Sequence, residues 1–173
     1  MNETAANPKP PGWLQLVLVG RDPKRTLLRA GLTAIALVLV FRFVLLPVRV
    51  TGGSMEPTYR DGSVNLINRL VFRLREPRRG DVVSVRTSGL SNQYLKRVIG
   101  LPGETLAITN GQVFINGQPL AEPYVKFREP WNYRPVQLGA AECFVIGDNR
   151  GMRMEDHTCG VTQRRKLVGK PLL

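Results

Sequence analysis

From residue 30 to residue 48 the chain runs for nineteen positions with one charge, Arg42, and most of the others are Leu, Val, Ile, Ala or Phe. At about 1.5 Å per residue, a helix of that length spans roughly 28 Å, close to the hydrocarbon thickness of a bilayer. Arg42 lies in the last third of the run, where its head group can snorkel to the nearer interface. Two other readings compete. A cleaved secretory leader ends in small residues, which Leu45-Leu46-Pro47-Val48-Arg49 does not offer, and its basic region lies nearer the start of the chain. A buried core helix carries a polar stripe, and this run has none. The sequence therefore predicts one transmembrane helix over 30–48, preceded by a tail, 1–29, and followed by a domain-sized unit, 49–173.

Charge sets the orientation and narrows the partners. Lys9, Arg21, Lys24, Arg25 and Arg29 precede the run, and an excess of cations in a short flank stays in the cytoplasm. This predicts a single-pass protein of the inner or plasma membrane, with a cytoplasmic N-terminus and unit 49–173 outside. Pro8, Pro10 and Pro11 predict disorder at the start, and 13–20 is apolar but too short to cross, so it reads as an interfacial piece with Trp13 near the headgroups. The net charge of +12 suits either an acidic phospholipid surface or nucleic acid. No base-reading helix, zinc-finger spacing or RNP-like aromatic motif accompanies it, so the phospholipid bilayer is the expected partner and nucleic acid is not.

Unit 49–173 reads as β. Short apolar or alternating runs recur at 64–67, 81–86, 94–99, 105–108, 113–115 and 143–146, each bounded by turn residues. Asn110-Gly111 and Asn116-Gly117 are dipeptides that two-residue hairpins prefer. Loops are expected over 75–80 and 129–135, and the tail from residue 164 is left unassigned. The predicted fold class is mostly β, behind a single N-terminal helix.

Chemistry enters at Gly52-Gly53-Ser54-Met55-Glu56-Pro57-Thr58. Two glycines and a proline around a serine leave a hydroxyl uncovered on a stiff turn, although Gly-Gly-Ser also describes an ordinary linker. A serine is inert until a base takes its proton. His157, with Asp148 as its orienting acid, is one candidate base. Lys96 is the other: in a strand through Tyr94-Leu95-Lys96-Arg97-Val98, alternation puts it on the face of Tyr94 and Val98, and burial there lowers a lysine toward about pH 7 to 8. The competing reading is an edge strand with Lys96 in water. Cys143 and Cys159 leave a disulfide and two free thiols open, and with His157 they make a poor zinc set.

These stretches resemble the type I signal peptidases, membrane-bound serine proteases with a Ser-Lys dyad. Ser54-Met55-Glu56-Pro57-Thr58 is similar to the family's nucleophile motif and Arg79-Gly80-Asp81-Val82-Val83 to its next box. Tyr94-Leu95-Lys96-Arg97-Val98-Ile99-Gly100-Leu101-Pro102-Gly103-Glu104 resembles the lysine box almost residue for residue, and Gly147-Asp148-Asn149-Arg150 the start of the last box. The resemblance implies a β-rich peptidase fold, Ser54 as nucleophile, Lys96 as general base, and an oxyanion site around the Ser54 N–H with Gly52 and Met55 beside it. It gives supporting places to Arg97, Asp148, Asn149 and Arg150, and needs neither metal nor other cofactor.

Two departures matter. Some members carry a hydroxyl two residues before the nucleophile, where this chain, like many others, has Gly52. In the last box the family commonly has a serine that bonds the catalytic amine, then an aspartate and an arginine at alternate positions, where this chain has Arg153, Glu155 and His157. Glu155 is the candidate to keep the acidic role by pairing with Arg97. Arg153 either places a second cation near Lys96 or swings out to solvent. The resemblance implies cleavage of signal peptides from exported preproteins through an acyl-enzyme, with small side chains at the first and third positions before the cut. The alternative is a catalytically impaired membrane scaffold or binding protein of the same family.

Overall fold

The computed structural model describes residues 22–86 and 93–172. The expectations for the tail prolines, for 13–20, and for Lys9 and Arg21 lie outside the described residues.

Helix α1, Pro23–Leu39, starts where the backbone demands it. The Asp22 carboxylate accepts from the N–H of Lys24 at 3.1 Å and of Arg25 at 3.4 Å, and Pro23 enters the first turn, where a missing N–H costs nothing. A π-helical turn, Val40–Val44, prolongs it, so the apolar helical run is Pro23–Val44, 22 residues with mean hydropathy 2.1 over its most apolar window. No side chain of α1 is buried, and Leu27 and Phe43 are 73% and 58% exposed, as a bilayer-facing surface requires. The helix therefore begins earlier and ends sooner than the apolar run 30–48. Pro47 is the reason for the early end, because it lacks an N–H and its ring would strike the carbonyl four residues back. Strand β1, Leu45–Arg49, takes over there.

From Phe43 the chain is one compact unit. After β1 come β2 (Val64–Asn68), a one-turn helix α2 (Val71–Leu74), β3 (Val82–Arg86), β4 (Gln93–Gly100), β5 (Thr105–Thr109), β6 (Gln112–Ile115) and β7 (Gln118–Pro119). β8 (Tyr133–Gln137), β9 (Glu142–Ile146), β10 (Gly160–Gln163) and β11 (Leu167–Pro171) complete it. A seven-stranded sheet has the order β1-β2-β11-β3-β4-β9-β10, and a smaller one the order β7-β6-β5-β8. The chain is thus mostly β behind one N-terminal apolar helix.

The six runs expected as strands correspond to β2, β3, β4, β5, β6 and β9, with ends moved by a residue or so. Asn110 and Gly111 (φ 48° and 77°) and Asn116 and Gly117 (φ 50° and 80°) take the left-handed conformations a tight hairpin needs. Two expectations change. The loop over 129–135 gives way to β8 at Tyr133, and the unassigned tail forms β11, inserted between β2 and β3. Ile99, Phe144 and Ile146 pack against Leu106, Ile108 and Val113 of the smaller sheet, while Val83, Val85, Val98 and Val145 form a second cluster.

Candidate active site

The serine turn is built on the loop joining β1 to β2. The Val50 N–H donates to Ser63 O at 2.8 Å and the Gly62 N–H to Val50 O at 2.9 Å, closing the loop at its base, while the Gly52 N–H donates to Asp61 Oδ1 at 2.9 Å. Gly52 adopts φ 87°, ψ 151°, which a side chain resists, and the backbone then tightens into a 3-10 turn, Gly53–Met55. Met55 is 1% exposed and plugs into Val50, Ile67, Val82 and Leu95. Burial of that size contributes about 1.5–3 kcal/mol and fixes the position of its neighbour Ser54.

Lys96 comes from β4, which lies between β3 and β9, so the edge-strand reading fails. Its side chain is 1% exposed, and Nζ donates to Ser54 Oγ at 2.6 Å. Burial lowers the Lys96 pKa to about 8, against opposing influences from the Cys159 thiol and the Asp148 carboxylate. At mildly alkaline pH the amine is therefore neutral within reach of the hydroxyl proton. That is the arrangement a general base requires.

The loop after β9 grips the same turn from below. The Asn149 N–H donates to Ser54 O at 3.1 Å and Asn149 Nδ2 to Gly53 O at 2.9 Å. Asp148 accepts from Arg97 Nε at 2.8 Å, from Arg97 Nη2, and from Thr58 Oγ1 at 2.6 Å, joining the serine loop, β4 and the last box through one carboxylate. Arg97 also donates to Gly80 O at 2.7 Å and stacks 4.0 Å from the Tyr124 ring centroid. Arg150, 1% exposed, donates from Nε to Gly147 O at 2.8 Å and pairs with the buried Glu122. A buried cation so paired holds its loop rigidly, since breaking either partner strands a charge.

The altered part of the last box lies elsewhere. Arg153 points to solvent and pairs with Glu155 at 2.7 Å and Asp156 at 2.8 Å, so it takes the outward of its two expected positions. Glu155 is exposed and does not meet Arg97, whose carboxylate partner is Asp148. His157 is 5% exposed, edge-on to Trp131 at 4.9 Å, and its ring nitrogens face the main chain of Ser54 and Asn149 without closing a hydrogen bond. Burial first, then the charges of Lys96 and Arg150, push its pKa down to about 4, so it is neutral where the lysine works. Asp148 is engaged by Arg97 and Thr58, which leaves His157 without an orienting acid. Cys143 and Cys159 are both free thiols, packed in different clusters.

Sequence reasoning brought Ser54, Lys96, Arg97, Asp148, Asn149 and Arg150 into view, and the fold gathers them. It missed Thr58, Glu122 and Tyr124. Thr58 lies inside the nucleophile motif and was a readable hydroxyl, whereas Glu122 and Tyr124 sit in a proline-bounded segment that carries no local signal of burial.

The chain matches, over residues 24–173, the family described as signal peptidase, peptidase S26. A probable signal peptidase I-2 from Synechocystis sp. is 32% identical over 158 residues, covering 86% of this chain and 72% of that protein. A signal peptidase I from Bacillus amyloliquefaciens is 34% identical over 153 residues, covering 82% of this chain and 79% of its own length. Among solved structures, a signal peptidase I from Enterococcus faecalis aligns at TM-score 0.46 and 24% identity, over 56% of this chain and 97% of its own.

Proposed function

Since the chain belongs to the signal peptidase family, peptidase S26, we propose that Ser54 is its nucleophile and Lys96 its general base. The protein is a membrane-anchored serine protease that cleaves signal peptides. The observation that carries the residue assignment is the 2.6 Å contact between Lys96 Nζ and Ser54 Oγ inside a site that excludes water from the amine.

In the first step neutral Lys96 takes the Ser54 proton as Oγ attacks the scissile carbonyl carbon. The oxygen of the resulting tetrahedral centre is held by the Ser54 N–H, while Gly52 contributes no side-chain donor and Met55 fixes the turn. The carbon–nitrogen bond then breaks, the Lys96 ammonium gives its proton to the departing amine, and an ester links Ser54 to the leader. Water, deprotonated by Lys96, attacks that ester and restores the serine. Asp148, Arg97, Asn149 and Arg150 hold the two reacting side chains in register.

Orientation follows from the cations. Lys24, Arg25 and Arg29 precede or begin the apolar run, so the N-terminus is cytoplasmic and the catalytic unit lies outside. Ser54 follows the end of that run after only a short strand, which suits a preprotein whose own apolar segment lies in the bilayer. The impaired-scaffold reading needed Arg153 to disturb the lysine, and the pairing of Arg153 with Glu155 and Asp156 removes that ground. The test is cleavage of a preprotein in detergent. Ser54→Ala and Lys96→Ala should each lose at least about a thousandfold in kcat, and parental rates in either would sink the proposal.

A further inference from the structure

On another part of the compact unit, α2 and the turn Arg164–Lys166 border a groove of about 240 Å³ lined by Arg69, Phe72, Arg73, Arg86, Arg164 and Arg165. Among the described residues no carboxylate lines it. Arg164 is committed to Glu76 and donates from Nη2 to Phe72 O at 3.3 Å. Among the described residues Arg73, Arg86 and Arg165 are exposed and have no acidic partner. Guanidinium groups gathered without counter-charge repel one another, and the group that relieves them best is a phosphate, whose oxygens match the planar fork.

The place of the groove narrows the source of that phosphate. The Arg69 N–H donates to Val44 O at 2.9 Å, and Val44 is the last residue of the apolar helical run. Arg69, which lines the groove, is thus bonded to the residue at which the apolar run ends, and a chain that leaves hydrocarbon does so among lipid headgroups. Beside Arg73, Leu74 is 84% exposed, and an uncovered apolar side chain flanked by cations is the pattern of an interfacial segment.

We propose that this groove binds the phosphate headgroups of anionic phospholipids and docks the catalytic unit against the bilayer. The inference rests on the reading of Pro23–Val44 as a membrane anchor and is independent of the Ser54 chemistry. It also explains why part of the net charge of +12 is placed beyond the helix, on the side where orientation rules would not favour it. Anionic lipid near a membrane surface contributes about fivefold in affinity per cation.

The experiment uses the full chain in neutral detergent micelles, with lipid retention followed by native mass spectrometry as phosphatidylglycerol or phosphatidylcholine is added. The parent is expected to retain phosphatidylglycerol in preference. Arg73→Gln/Arg165→Gln should weaken that retention about 25-fold, and Arg73→Lys/Arg165→Lys, which keeps charge but not the fork, should fall between. Equal retention of the two lipids, an undiminished preference in the glutamine variant, or displacement of the lipid by millimolar inorganic phosphate would each overturn the proposal. Cleavage of a preprotein, followed in parallel, should be equal in parent and variants. A parent that retains the lipid as expected and does not cleave would sink the catalytic reading while supporting the groove.

Discussion

Gly147 lies so close beneath Ser54 that a β-carbon on it would stand 2.1 Å from the Ser54 carbonyl oxygen and 2.5 Å from His157 Cε1. No real pair of atoms tolerates that, so any side chain at 147 must push the nucleophile turn away from β4. Gly147→Ala is expected to cost about a hundredfold in kcat for a preprotein, because misplacement of about 1 Å suffices for such a loss. Steady-state cleavage by a folded Gly147→Ala protein is the measurement, and a parental kcat would show that the turn has room to move.

Asp148 joins three segments, so its loss should be felt in two readouts. Asp148→Asn leaves Arg97, whose side chain is 12% exposed, without its carboxylate, a loss of about 3–5 kcal/mol of stability by denaturant titration. The same carboxylate raises the pKa of Lys96. Removing it should move the acid limb of the cleavage profile to lower pH, whereas a purely structural role would leave that limb in place.

His157 titrates in the unfolded chain near 6.5 and in the folded protein at about 4. Between those values the unfolded state binds a proton that the folded state refuses, so stability is complete above pH 6.5 and falls as pH drops toward 4, by about 3 kcal/mol. His157→Gln should flatten this acid dependence in melting experiments and leave the alkaline activity limb unchanged. If His157 were the base, the same variant would lose nearly all activity.

Arg153 and Glu155 depart from the family pattern, yet both are exposed and paired with each other. Exposed pairs of this kind contribute about 0.2–1 kcal/mol. Arg153→Ser and Glu155→Ala are therefore expected to keep kcat within about threefold of the parent, with stability changed by less than about 1 kcal/mol. A tenfold change in the pH-independent rate for either would mean that it reaches the lysine after all.

What could be read from the sequence was local. The glycines and proline around Ser54 and the alternation around Lys96 are signals within a few residues. Each left an alternative open, a linker and an edge strand, until the resemblance to the signal peptidases joined the two. The helix start was also written locally, in Asp22-Pro23, but hydropathy alone misplaced it, and hydropathy carried the helix past Pro47, where backbone chemistry forbids it. What stayed hidden was long-range. Thr58 and Asp148 are 90 positions apart, and nothing in either segment specifies the other. Insertion of β11 between β2 and β3 is likewise a property of the folded sheet, since periodicity gives a strand its faces but not its neighbours. Arg97 illustrates the consequence: the sequence offered Glu155 as its carboxylate, and the last box, folded onto β4, supplies Asp148 instead.

The central claim is that a buried, neutral lysine activates Ser54, and the pH dependence of kcat/KM for a preprotein in detergent tests it most directly. With Lys96 lowered to about 8 by burial, the amine accepts a proton only as pH rises through that value. The expected profile is a single limb rising with an apparent pKa near 8, present in the parent and in His157→Gln and absent with the activity itself in Lys96→Ala. A limb near 4 that disappears in His157→Gln, or cleavage that survives in Lys96→Ala, would contradict the account.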